Sequence, residues 1–215
     1  MSFKAAVFDL DGTILDTIDD LADTMNYVLE RNGYPLRSRD EVQARVGNGI
    51  LNLIRRALPE EVSPDRQQEL LLQFKEHYGK HCADKTKPYE GIMELLQTLK
   101  EKGISLVVVS NKADFAVKEL CQQYFPGIFD VTVGEREGVR KKPAPDSVQE
   151  VLHSLPCSAE EAVYIGDSEV DVQTALNVPM AGIFVTWGFR TPETLLQAGA
   201  KKLVQKPEEL LQEIL

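Results

Sequence analysis

From residue 88 onward, short apolar runs alternate with helical patterns, and this rhythm restricts the fold more than any other feature. Residues 104–109 (ISLVVV), 130–133, 162–165 (AVYI) and 181–185 (AGIFV) read as strands, and 5–8 (AAVF) opens the chain in the same way. Unbroken apolar strands separated by helices predict a doubly wound parallel sheet, a Rossmann-like α/β core covered on both faces. Helix signals agree. Ile92, Leu95, Leu96 and Leu99 recur at helical spacing before Gly103, residues 158–161 (SAEE) form a capping box just ahead of a strand, and 207–214 reads as the last helix.

Residues 16–87 break the rhythm with helix signals alone: a stripe of Ile18, Leu21, Met25, Val28 and Leu29, a capping box from Ser38 to Glu41, and Leu70, Leu71 and Phe74 after Pro64. A parallel crossover needs only a dozen or so residues, yet about 90 separate the first strand from the next clear one. The excess predicts a small α-helical cap domain at 16–87, inserted into a core of 1–15 and 88–215. Leaving and rejoining the core near the carboxyl edge of the sheet, it would hang over a site there as a lid that excludes water and selects substrates.

Composition narrows the possible partners. No apolar stretch reaches the roughly 18 residues of a membrane span, and no signal-like segment opens the chain, so the expected location is cytoplasmic. Cys82, Cys121 and Cys157 are odd in number and widely spaced, which points to reduced thiols. A net charge of −10 opposes nonspecific binding to nucleic acid or an anionic membrane. Residues 16–87 carry 11 basic and 13 acidic side chains, so most of that charge lies on the core. Nothing in the sequence selects between a monomer and a homodimer.

Polar residues fall at the ends of the predicted strands, where open α/β sheets bind ligands. Asp9 and Asp11 follow the first strand in residues 9–17 (DLDGTILDT), with Gly12 for a tight turn and Thr13 offering a hydroxyl and an N–H to an anion. Two carboxylates so close predict a cation or coupled acid/base work. Ser110, Asn111 and Lys112 follow ISLVVV and supply a hydroxyl, an amide and N–H groups suited to phosphate oxygens, although a polar loop before a helix has the same look. Lys142, held before Pro143, offers a fixed positive charge. Asp167 and Asp171, after Gly166, bring two more carboxylates to the same edge, enough with Asp9 and Asp11 for one Mg²⁺.

In order and placement, these four segments resemble the motifs of the haloacid dehalogenase superfamily, in its phosphatase branch with a helical cap after the first strand. Within that branch, residues 46–49 (VGNG) before Arg56, Ala57 and Leu58, and Thr186, Trp187 and Gly188 after the last core strand, are similar to phosphoglycolate phosphatases. The resemblance implies Mg²⁺-dependent hydrolysis of a small phosphorylated metabolite, 2-phosphoglycolate to glycolate and phosphate. A phosphomutase resembling β-phosphoglucomutase, and a pyrophosphatase or nucleotidase of the same superfamily, are the alternatives. Residue chemistry together with the resemblance casts Asp9 as the nucleophile that becomes an aspartyl phosphate, and Asp11 as general acid/base. Mg²⁺ would be held by the Asp9 carboxylate, the Asp11 backbone carbonyl and Asp167, with Asp171 acting through water, while Ser110, Lys142 and the Asn111 backbone balance the phosphate charge.

Arg45 with the Gly47, Asn48, Gly49 loop is the expected place for leaving-group recognition; a plain turn between helices is the competing reading. His77 and His81, four apart with Cys82 and Asp84 nearby, read as a solvated helix face because no second ligand cluster accompanies them.

Overall fold

The structure, a computed structural model, describes residues 3–47, 49–59 and 61–215. Its strands are β1 (Ala5–Phe8), β2 (Leu15–Asp16), β3 (Lys87–Pro88), β4 (Ser105–Ala113), β5 (Val131–Glu135), β6 (Ala162–Gly166), β7 (Ala181–Val185) and β8 (Leu203–Val204). Its helices are α1 (Ile18–Arg31), α2 (Arg39–Arg45), α3 (Ile50–Ala57), α4 (Pro64–His81), α5 (Ile92–Glu101), α6 (Asp114–Tyr124), α7 (Asp146–Ser154), α8 (Glu169–Asn177), α9 (Pro192–Gln197) and α10 (Pro207–Ile214).

Six strands form one sheet in the order β5-β4-β1-β6-β7-β8, with every described pair among them parallel. Central β1 is fully buried, and its residues Val7 and Phe8 pair with Val107 and Val108 on one side and with Tyr164 and Ile165 on the other. Burial on both faces is why these runs are continuously apolar rather than alternating. Ala5 and Val7 join a core cluster with Val148 and Val151 of α7 and Val172 and Ala175 of α8. Phe8, on the opposite face by the two-residue period, meets Phe129 edge-on at 6.4 Å. The chain winds from β1 outward to β5 and then returns past β1 to β6, so strand order reverses at β1. Ligands of open α/β sheets bind at such a reversal, beyond the carboxyl ends of the strands.

The chain divides into two compact units, Asp16–Lys87 and the remainder. Within Asp16–Lys87, α1 buries Leu21, Met25, Val28 and Leu29 and packs on α4, which buries Leu70, Phe74 and Tyr78. Ser38 and Glu41 close the expected capping box on α2. Buried Asp20 accepts from the N–H groups of Lys85 and Thr86 and from the Thr86 hydroxyl, tying the end of the unit to its first helix.

Sequence patterning misses the two-residue strands β2, β3 and β8, which are too short to carry a period. It also ends the second core strand at Val109, whereas β4 runs on through Ser110, Asn111 and Lys112 to Ala113, its register with β5 shifting over those residues. The SAEE capping box is present, on a single 3₁₀ turn rather than a full helix.

Candidate active site

Asp9 leaves β1 while still bonded to the sheet, its N–H donating to the Ile165 carbonyl at 2.8 Å. The turn that follows needs glycine: Gly12 has φ +84°, and a Cβ there would strike the Asp167 carboxylate. A Cβ on Gly188 would strike Asp167 and the Gly12 carbonyl. The Trp187 indole N–H donates to the Thr13 carbonyl at 3.0 Å, bracing the same turn. Space beside Asp167 is therefore kept open by two glycines from opposite ends of the core sequence.

Carboxylate oxygens of Asp9, Asp167 and Asp171 all lie within 4.8 Å of one another, and all three residues are buried. One cation sits among them. The Lys142 ammonium is 3.0 Å from Asp9 Oδ1, and it donates to Asp171 Oδ1 at 2.8 Å and to the Tyr164 hydroxyl at 2.8 Å. Tyr164 in turn donates to Asp171 Oδ1 at 2.9 Å. The second oxygen of Asp171 accepts from the N–H groups of Asp167 and Ser168 and from the Ser168 hydroxyl. Asp171 is thus saturated by protein donors and holds Lys142 in place. Asp167 is more lightly held, by the Thr13 hydroxyl at 3.1 Å and the Phe189 N–H at 2.7 Å.

Electrostatics follow from this packing. Burial pushes Asp9 up to about 7; Lys142 opposes the rise, and the charges of Asp171 and Asp11 add to it. Asp167 is driven well above the usual carboxylate range by burial and then by Asp171 and Asp9, against the Phe189 and Thr13 hydrogen bonds. Burial works against the Lys142 charge, but Asp171 and Asp9 outweigh it and keep the ammonium protonated. Tyr164, raised by burial and by the Asp171 charge, stays a phenol and a donor.

Asp11 faces a different partner. The Lys112 ammonium donates to its two oxygens at 2.9 and 3.2 Å. Sequence reasoning assigned SNK to phosphate through its hydroxyl, amide and N–H groups, and the structure corrects part of this. The Asn111 side chain accepts from the Lys142 N–H at 2.8 Å and donates to the Lys142 carbonyl at 2.9 Å, so its amide positions the lysine instead of facing an anion. Buried Ser110 accepts from the Lys112 N–H through its hydroxyl. The Thr13 hydroxyl, expected toward an anion, is likewise committed to Asp167.

The structure thus brings Asp9, Asp167, Asp171 and Lys142 together, with Asn111 clamped on the lysine backbone and Asp11 paired to Lys112. Arg45 lies in the other unit, where it donates to the Arg56 and Glu41 carbonyls and braces the α2–α3 connection. Gly47 and Gly49 flank that connection with φ of +122° and +87°, and Asn48 lies outside the described residues. Three contributors escaped the sequence reading: Tyr164, the Lys112 side chain and the Phe189 N–H. A tyrosine in an otherwise aliphatic buried strand was the available signal for the first, because its hydroxyl needs a partner there.

The donor set suits a small hard cation. Lys142 pairs with Asp9 and Asp171 and not with Asp167, the raised proton affinities of Asp9 and Asp167 mark a place where a cation would relieve the crowding of carboxylates, and the two glycines leave room at Asp167. All-oxygen ligation of this kind favours Mg²⁺ over softer metals.

Comparison with known proteins is consistent with this construction. The haloacid dehalogenase-like hydrolase family matches residues 6–185, and this chain belongs to that family; it is an enzyme of the hydrolase class. A phosphoglycolate phosphatase of Chromobacterium violaceum is 32% identical over 212 residues, covering 96% of this chain and 94% of its own. One from Aquifex aeolicus is 32% identical over 188 residues, covering 86% of each. A solved structure from Lactobacillus delbrueckii subsp. bulgaricus, described as a candidate phosphoglycolate phosphatase, superimposes with a TM-score of 0.97 at 39% identity, over 100% of this chain and 99% of the other.

Proposed function

We propose that this chain hydrolyses a small phosphate monoester through a covalent phosphate on Asp9, with 2-phosphoglycolate as substrate and Mg²⁺ as cofactor. The observation that carries the reading is the buried Asp9 carboxylate, held between Lys142 and the Asp167 side of the acid cluster at the strand reversal. The names of relatives about 30% identical over nearly the whole chain support the substrate.

In the first step Asp9 attacks phosphorus, and the bond from phosphorus to the ester oxygen breaks as Asp11 gives that oxygen a proton. In the second, Asp11 takes a proton from water, which attacks the same phosphorus and frees Asp9 and inorganic phosphate. Lys142 neutralises charge on the transferring group and is kept in position by Asp171, Tyr164 and Asn111. Ser110 and the Asn111 N–H serve the remaining phosphate oxygens. Asp9, Asp167 and the Asp11 carbonyl would hold Mg²⁺, with Asp171 acting on the outer shell; when bound, the ion supplies further neutralisation of nucleophile and phosphate. Residues 16–87 act as the cap that selects the leaving group, with Arg45, Gly47, Asn48 and Gly49 as the residues assigned to its recognition.

A screen of phosphate monoesters, pyrophosphate and β-glucose 1-phosphate with Mg²⁺ tests the reading. Phosphate release fastest from 2-phosphoglycolate is expected; isomerisation of the sugar phosphate without release would replace the hydrolase by a mutase. Asp11→Asn should slow 2-phosphoglycolate more than p-nitrophenyl phosphate, whose leaving group needs no proton. Equal slowing of both would remove Asp11 from the acid role.

A further inference from the structure

The segment from Thr186 to Arg190 links β7 to α9 and carries Trp187, the single tryptophan of the chain. Both its ends are pinned to neighbouring elements. The Thr186 N–H and hydroxyl donate to the Val204 carbonyl of β8 at 3.0 and 3.2 Å, and Arg190 Nε donates to the Glu169 carboxylate of α8 at 2.8 Å. The three residues between these anchors converge on one carboxylate. Trp187 donates through its indole N–H to the Thr13 carbonyl at 3.0 Å, the Thr13 hydroxyl donates to Asp167 Oδ1 at 3.1 Å, and the Phe189 N–H donates to Asp167 Oδ2 at 2.7 Å. Gly188 stands between them, its bare Cα packed where a Cβ would collide with Asp167 and the Gly12 carbonyl.

Both supports of Asp167 therefore depend on this segment, Phe189 directly and Thr13 through Trp187. A carboxylate oxygen has about two acceptor sites, so one donor on each oxygen orients Asp167 without filling it. Asp171 differs: Lys142, Tyr164, Ser168 and backbone N–H groups occupy both its oxygens. Partners behind a ligating side chain fix its direction and tune the affinity of the site. A half-buried indole suits that task, because its ring turns about only two torsions and its N–H serves a single acceptor. The indole is a donor only, so Trp187 cannot itself ligate a cation.

We propose that Trp187 is a positioning residue for the cation site. Its indole N–H, acting through the Thr13 turn, and the Phe189 N–H two residues on hold the Asp167 carboxylate in the orientation that takes Mg²⁺, and Gly188 lets the segment approach closely enough to do so. The inference rests on the Mg²⁺-dependent reading above and assigns that site a residue with no ligand atom of its own.

Titration calorimetry of metal-free protein with Mg²⁺ tests this. Trp187→Phe keeps an aromatic ring and removes the N–H, and it should weaken Mg²⁺ binding about fivefold; Thr13→Val should weaken it about 10–100-fold. Both act on Asp167 along one path, so the double variant should bind no more than about twofold less tightly than Thr13→Val alone, whereas independent effects would multiply. In turnover of 2-phosphoglycolate, the Trp187→Phe loss should appear in the Mg²⁺ concentration for half-maximal rate and not in kcat at saturating Mg²⁺; a ring needed only for packing would lower kcat at every Mg²⁺ concentration. The native chain supplies a readout that needs no substitution: its one indole N–H resonance should shift on Mg²⁺ addition and follow the calorimetric isotherm. Native affinity in Trp187→Phe, multiplying effects in the double variant, or an indole resonance that saturating Mg²⁺ leaves unmoved would overturn the positioning role while leaving Asp167 as the ligand. A native chain that binds no Mg²⁺ would overturn the cation reading itself, and the role of Trp187 with it.

Discussion

The charges of the core and those of the helical insertion obey opposite economies. In the core, Lys142 is shared by Asp9 and Asp171, and the lysine and Asp171 are almost wholly removed from solvent. In the insertion, Arg66 with Glu69, Lys80 with Glu76, Lys85 with Asp23 and Arg39 with Asp19 pair on the surface, the Lys80–Glu76 side chains being 68% and 75% exposed. Exposed pairs are screened by water and contribute about 0–1 kcal/mol each. Buried charges carry desolvation costs that mutual attraction does not reliably offset. A chain that buries three carboxylates around one lysine therefore forgoes stability there, and chemistry is the physical reason to keep such a cluster.

The contrast is sharpest at Asp9. Asp9→Asn keeps the shape and removes the carboxylate proposed as the nucleophile, and it should lower kcat by at least about 10³-fold; near-normal turnover would show that the buried cluster is not the reacting one. Lys142→Met should destabilise the protein by about 3–5 kcal/mol in urea unfolding, because it strands Asp9 and Asp171 without a cation. A cost under about 1 kcal/mol would place the buried network on the same footing as the surface pairs.

Acidity offers a subtler comparison. Folding raises Asp9 to about 7 from an ordinary value near 4, so the folded chain holds a proton that the unfolded chain has released. Metal-free protein should accordingly lose stability as pH rises from roughly 4 through 7, the raised Asp167 acting in the same direction. Melting temperatures between pH 5 and 8, without metal, should fall more for the native chain than for Asp9→Asn. At the small end, Arg66→Ala should change stability by no more than about 0.5 kcal/mol and leave turnover unaltered; a larger change would give the surface pairs a weight that solvent screening does not predict.

Much of the core was readable in the chain because burial on two faces imposes a continuous apolar signature, and because the turn after β1 requires Gly12 beside two aspartates. Short strands were not readable, since Leu203–Val204 carries no period. Nor were partnerships across long separations. That Asn111 grips the backbone of Lys142, that Lys112 pairs with Asp11, and that Tyr164 joins Lys142 to Asp171 depend on which strand ends become neighbours, and residue type alone leaves those pairings open. His77 and His81 make the same point in the insertion, where spacing reveals a shared face while the hydrogen-bond partners of each Nδ1 come from Thr24 on α1 and from Asp84 beyond the helix end.

Local order and periodicity, which act over a few residues, were enough to determine the parallel α/β core, the helical insertion and the positions of the acidic residues at strand ends. Only the folded chain decided which of those acids share a lysine, which stay open to a cation and how far burial shifts their protons. Desolvation and charge pairing act through space at distances of 3–5 Å, and residues as remote as Asp9, Lys142 and Asp171 reach those distances only when the sheet assembles.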